Sequence, residues 1–288
     1  MTIHHPTRIE DPDRIRALLG VDPYLHLYEL GDLDPFFWPS TQWFAKDTAL
    51  AMLYSAPGIA VLLCFSRERD PAHALLTEIR DVLPSEMYSH LSPGLFEALA
   101  PRYEAKSCGE YQKMSLRRPE MVGAAGVVPS DAVPSYAVHS GTVDTGATRS
   151  DALQSDAEIL PSSRLAEVQD FFARAYPGNW FDPRMLETDR YVGVRDENGA
   201  LVSVAGIHVY APSEGVAVLG NVATLPSARG RGYGGHACRA LCRILLGEGL
   251  RVGLNVARNN EPAIRCYRAL GFEYEAPYEE RMLKACEN

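Results

Sequence analysis

A β-branched run from Val216 to Leu225 passes through Pro226-Ser227-Ala228 into Arg229-Gly230-Arg231-Gly232-Tyr233-Gly234-Gly235. His236-Ala-Cys-Arg-Ala-Leu-Cys-Arg-Ile-Leu-Leu246 follows, with apolar residues at helical spacing. The order strand, glycine turn, helix constrains the chain to an α/β arrangement. It also leaves backbone N–H groups unpaired at a helix N-terminus, with the positive end of the helix dipole behind them. Such a nest holds phosphate. Glycine suits it because it tolerates positive φ and has no Cβ to keep a ligand oxygen away from the backbone. Arg229 and Arg231 add positive charge. The element from Arg229 to Gly235 is expected to clamp a diphosphate.

Two diphosphate ligands fit these letters. Gly230, Gly232 and Gly235 satisfy the dinucleotide pattern G-x-G-x-x-G. That pattern wants the turn to leave the strand directly and an acid about 20 residues further on. Here Pro226-Ser227-Ala228 intervenes, and residues 251–257 lead to Arg258, which suits a 2′-phosphate. An NADP-dependent oxidoreductase is therefore one alternative. Read as R-x-x-G-x-G, the same stretch supplies Arg229, Gly232 and Gly234. Asn260, Ala263, Tyr267, Gly271 and Phe272 then complete N-x-x-A-x-x-x-Y-x-x-x-G-F. With both motifs at this separation, the chain resembles the GNAT superfamily of N-acetyltransferases, closely over its last third and more loosely from Tyr176 onward. Two-lobed relatives, such as glycine N-acyltransferases and mycothiol synthase, share the general order of elements.

Length and composition limit the alternatives. The chain has 288 residues, 46% of them hydrophobic, which is comfortable for two cores. A net charge of −9 and the lack of basic runs argue against nucleic acid or an anionic membrane as partner. No apolar stretch approaches the roughly 20 residues of a spanning helix, and the N-terminus lacks a secretory apolar region. The six cysteines form no C-x-x-C pair and have no histidine pair at metal spacing, so free thiols in a reducing cytoplasm are expected. No metal is expected.

The periodicities place an N-terminal α/β domain at 1–118, a linker rich in Gly, Ala, Ser, Thr, Asp and Pro at 119–155, and a second domain at 156–288. In the first, 13–19 and 72–82 read as helices, 49–55 and 59–65 as a hairpin, 95–100 as a short helix and 111–116 as a strand. In the second, 165–175 is a helix, 191–195 and 201–210 form a hairpin, and 272–283 is the last strand. The fold class is α/β with a mixed sheet. The resemblance implies a GNAT acyl-CoA N-acyltransferase fold in the C-terminal domain and a smaller front domain, a GNAT-like half that has lost its cofactor loop.

The resemblance also assigns roles. Arg229, Gly230, Arg231, Gly232, Tyr233, Gly234 and Gly235 would hold the coenzyme A diphosphate. Main-chain N–H groups of Val222, Ala223 and Thr224 would meet the pantetheine and the thioester oxygen, and Gly220 and Asn221 would fit a bulge that exposes them. Tyr267 stands where the family has its general acid, and its phenol, with a pKa of about 10, is protonated at neutral pH. Asn260 would bond pantetheine, cap its helix, or both. The strand from 216 to 224 contains no acid. His208 is accordingly the candidate base, Glu214 a weaker one, and an amine that binds already deprotonated is a third option. Residues 176–184, with aromatics and an Asp182/Arg184 pair, form either an acceptor surface or a buried aromatic anchor.

The expected function is transfer of an acetyl group from acetyl-CoA to a primary amine of a small or amino-acid-like molecule, by direct attack in a ternary complex. The missing strand carboxylate motivates the other alternative, a non-catalytic acyl-CoA-binding regulator. A homodimer is compatible with this reading.

Overall fold

The computed structural model describes residues 8–56, 58–123, 157–179 and 181–286. Most of the expected linker therefore lies outside the described residues. So do Pro57 of the expected 56–58 turn and Trp180.

The first half of the chain gives β1 (Arg8–Ile9), α1 (Pro12–Leu19), α2 (Leu27–Gly31), β2 (Thr41–Lys46), β3 (Ala49–Ala56), β4 (Ile59–Cys64), α3 (Arg69–Ile79), β5 (Glu86–Leu91) and β6 (Tyr103–Leu116). The second gives β7 (Ala157–Ile159), α4 (Leu165–Ala175), β8 (Val192–Arg195), β9 (Leu201–Ala211), β10 (Val216–Thr224), α5 (Tyr233–Gly247), β11 (Arg251–Ala257), α6 (Glu261–Ala269) and β12 (Phe272–Ala285). Short 3-10 turns punctuate both.

These elements form two compact units. The first holds residues 1–115, 253–264 and 273–288. Its strands run in the order β1-β2-β3-β4-β5-β12-β6-β11. β4 and β5 are parallel, with α3 as the crossover between them, and β12 pairs antiparallel with β5, Glu280 opposite His90. Helix α3 buries Ala72, Leu75, Leu76 and Ile79, the 3-1-3 spacing of one helical face. That face packs on Phe44, Leu53, Leu62, Met87 and Leu283. Burying each such leucine stabilises the unit by roughly 1.5–3 kcal/mol.

The second unit holds residues 116–252 and 265–272. Its strands β10, β9, β8 and β7 form an antiparallel meander. Helix α5 buries Ala237, Cys238, Leu241, Cys242, Leu245 and Leu246 along one side. Helix α4 buries Val168, Phe171 and Phe172. The loop after α4 brings Phe181 against Phe172 (5.1 Å) and Tyr191 (5.6 Å), so this part of 176–184 is an aromatic anchor. Asp182 caps the next turn through the Arg184 N–H at 2.9 Å and pairs with the Arg184 guanidinium at 2.5 Å. No helix among the described residues is long and apolar enough to cross a membrane.

Helix α4 and strand β11 fall where their periodicity puts them. The helix expected over 72–82 begins earlier, at Arg69, and ends at Ile79. Strand β6 runs eight residues ahead of its expected start at 111, and 95–100 contains a 3-10 turn in place of a helix. Helix α2 and strands β2 and β5 are not announced by the sequence, because each is short and draws its stability from partners distant in the chain.

Candidate active site

Strand β10 departs twice from regular pairing with β9. Val218 faces Val209 but Leu219 faces Ile207, so His208 is an extra residue on β9. Gly220 faces Gly206 but Ala223 faces Val204, so β10 carries an extra residue too, and neither Asn221 nor Val222 has a partner on β9. This second bulge falls where Gly220 and Asn221 suggested one. Asn221 adopts φ +51°, a left-handed conformation uncommon for a non-glycine residue, and is 4% exposed. Its amide Nδ2 donates to the Tyr191 hydroxyl at 2.9 Å, which in turn donates to the Ile207 carbonyl at 3.1 Å.

Beyond the bulge the strand is tied to the turn. Ser203 Oγ donates to the Ala223 carbonyl at 3.0 Å and lies 2.9 Å from Thr224 Oγ1. The Thr224 carbonyl accepts from Arg229 Nε at 3.2 Å. A 3-10 turn, Pro226–Ala228, leads into the glycine loop, where Gly230 has φ +77° and Gly232 φ +85°. Helix α5 starts inside that loop, three residues before its expected start. His236 N–H makes the first intrahelical bond, to the Gly232 carbonyl at 3.0 Å. The N–H groups of Tyr233, Gly234 and Gly235 precede it, and no side chain of the N-cap closes this end. A Cβ on Gly234 would stand 3.0 Å from Thr224 Oγ1, whereas one on Gly230 would meet nothing within 4 Å among the described residues. One glycine thus lets the helix seat on the strand, and the other leaves the approach open. Arg229 and Arg231 are exposed beside it.

Tyr267 is 8% exposed, and its ring lies 5.9 Å from that of Phe272. Burial, with Cys238, Cys266 and Cys242 nearby, pushes its phenol well above the ordinary value, so it stays protonated throughout the neutral range. Cys266 sits against Gly235, where a Cβ would stand 3.3 Å from its Sγ, and burial raises its thiol pKa, which disfavours a thiolate nucleophile. Asn260 is an N-cap: its Oδ1 accepts from Ala263 N–H at 3.3 Å, and its carbonyl from Ile264 N–H at 3.0 Å. It belongs to the first unit, whereas the glycine loop, bulge, His208 and Tyr267 all belong to the second.

The His208 ring lies over Gly220, where a Cβ would come within 2.0 Å of it. Burial lowers its pKa to about 4, so the imidazole is neutral at pH 7 and holds a proton weakly. Below its ordinary 6.5 the unfolded chain takes up a proton that the folded chain refuses until about pH 4. His208 therefore costs stability as pH falls through that window. We expect His208→Gln to flatten the fall in Tm between pH 7 and pH 5, read by calorimetric scans of both proteins. Parallel Tm curves would show that the ring titrates normally.

Residues 160–272 match the model of the acetyltransferase (GNAT) family. The chain carries a GNAT acyltransferase domain. Solved structures agree on the fold. A Drosophila protein is 15% identical, with a TM-score of 0.63 and coverage of 97% of this chain and 98% of its own. A GCN5-related N-acetyltransferase from Kribbella flavida is 16% identical, with a TM-score of 0.56 and 97% coverage of each chain. A tandem GNAT protein from the clavulanic acid biosynthesis pathway is 17% identical, with a TM-score of 0.53 and coverage of 96% and 95%. No curated protein sequence matches significantly.

As a GNAT domain, residues 160–272 work on acyl-CoA. In the glycine loop, three successive amides open α5, Gly230 and Gly232 have positive φ, and two arginines stand alongside. Tyr191, Ser203 and Gly206 were not found from sequence. The one hint was Gly220-Asn221, a turn-type dipeptide inside an otherwise apolar strand.

Proposed function

We propose that the GNAT domain transfers an acetyl group from acetyl-CoA to the primary amine of a small or amino-acid-like molecule, by direct attack in a ternary complex. The observation that carries this reading is the open glycine N-terminus of α5, tied by Thr224 and Arg229 to a bulged strand. Acetyl-CoA, when bound, supplies an activated acyl carbon and a thiolate leaving group. The amine nitrogen bonds to that carbon, the C–S bond breaks, and the sulfur takes the Tyr267 proton. In this reading the Val222 N–H, at the bulge where the register of β10 shifts, meets the negative charge that builds on the acyl oxygen. The amine gives up one proton, and Tyr267 regains one from solvent, so the balance closes.

His208 is best read as an acceptor of a hydrogen bond from an amine that arrives neutral, because a group with a pKa of about 4 cannot strip an ammonium. A neutral acceptor amine implies that kcat/KM rises with pH towards the amine's own pKa.

We further infer that the front unit is a GNAT-like lobe without cofactor binding. Its β4–α3–β5 crossover repeats the parallel pair of the family, but the turn Phe65-Ser66-Arg67-Glu68 has no glycine. Arg67 is already bonded to Asp22 at 2.8 Å and to the Glu275 carbonyl at 2.5 Å. Glu68, at the N-cap of α3, places a carboxylate where a diphosphate would need room. The six free thiols support a cytoplasmic setting, and the net charge of −9 supports a small-molecule acceptor over nucleic acid or membrane.

Two measurements test the reading. Calorimetric titration with acetyl-CoA should show binding, and thiol release across a panel of primary amines should show turnover. An Arg231→Glu variant should weaken CoA binding about tenfold, which is ~1.4 kcal/mol, with Tm unchanged because the side chain is exposed. Indifference of the wild type to millimolar acetyl-CoA would end the proposal.

A further inference from the structure

The geometry points to Asn221 and Tyr191 as a pair of positioning residues that hold the β10 bulge, and with it the Val222 N–H, in the orientation acyl transfer needs. This inference rests on the acetyl-transfer reading above. Four observations converge on it. Asn221 holds φ +51° while 4% exposed, a conformation that persists only where surrounding contacts impose it. Its amide donates to the Tyr191 hydroxyl at 2.9 Å, and that hydroxyl is anchored by donation to the Ile207 carbonyl at 3.1 Å.

The Tyr191 ring itself is fixed. It is fully buried and lies over Gly206, where any Cβ would stand 2.2 Å from the ring. Gly206 is the last residue paired with β10 before the register skips, so the ring and the bulge share one point on the ladder. Finally, Met185 Sδ lies 3.3 Å from the Tyr191 hydroxyl and 3.7 Å from Asn221 Nδ2, which ties the turn Pro183–Thr188 to the same pair. Neither residue touches the reacting atoms in this account. Both act through the backbone amide that follows Asn221, since a bulge turned by its left-handed residue re-aims the next N–H.

The substitutions Tyr191→Phe and Asn221→Gly separate this role from mere packing. Phenylalanine keeps the ring over Gly206 and removes only the hydroxyl. Glycine keeps the left-handed backbone accessible and removes only the amide. Each variant is expected to lose about tenfold to a hundredfold in kcat through a misaimed amide, with the Kd for CoA within about twofold of wild type. The double variant should fall no further than the worse single, since the two act as one unit. Circular dichroism and Tm check that each variant folds. Unchanged kcat in both folded variants would overturn the inference while leaving acetyl transfer intact. So would a loss matched in CoA affinity and Tm, because it would mark a structural role. Wild-type protein without turnover would overturn the acetyl-transfer reading, and this one with it.

Discussion

Tyr267→Phe should lower kcat by about 10²- to 10⁴-fold and leave the affinity for CoA nearly unchanged. The substitution removes one oxygen from a ring that is already packed on Phe272, so the second unit loses little packing. On the proposed mechanism, what it removes is a proton source. Burial keeps the phenol protonated above its ordinary titration range, so the acid is present throughout the neutral range. In its absence the departing sulfur must leave as a bare thiolate or find a proton in solvent. The deficit should therefore be smallest with thioesters whose thiol is more acidic than that of coenzyme A. Thiol release by wild type and variant, with acetyl-CoA and with an activated thioester, measures it. Equal turnover of the two proteins would remove Tyr267 from the mechanism.

The largest stability effect is expected at Gly271. A Cβ there would stand 2.3 Å from the Arg118 carbonyl oxygen, a backbone atom with no freedom to step aside, and the residue has φ +94°. The Gly271 carbonyl also accepts from the N–H groups of Arg117 and Arg118, both at 3.2 Å, so the segment cannot shift without losing them. Gly271→Ala should cost about 2–5 kcal/mol, combining a left-handed penalty of about 1–2 with overpacking of about 1–3. Urea unfolding should show a lower midpoint at unchanged slope. The same glycine stands two residues after the end of α6, which carries Tyr267, so residual activity at permissive temperature should fall as well. A midpoint equal to wild type would mean that this turn is looser than the contacts imply.

Much of the catalytic unit was legible because its signals are local. The glycine loop, the amphipathic α4 and α5 and the strand β11 each depend on residues within a dozen positions, where periodicity and turn chemistry act directly. The Gly220-Asn221 dipeptide even marked the bulge. Its partner Tyr191 was invisible: it lies 30 residues away in sequence, and a tyrosine at the head of a strand resembles any core aromatic. The same blindness covered Gly206, whose reason is the Tyr191 ring lying over it. His208 shows the converse. Its residue type suggested a base, and only its burial revealed how weakly it binds a proton.

By itself, the sequence determined the glycine loop between β10 and α5 and the helices α4 and α5, because these follow from backbone conformations that nearby residues enforce. Tertiary structure alone decided that β12 lies between β5 and β6 in the first unit, and that Asn221 meets Tyr191. Strand neighbours and register are settled by which buried faces fit across many residues of chain, and no local spacing encodes that choice.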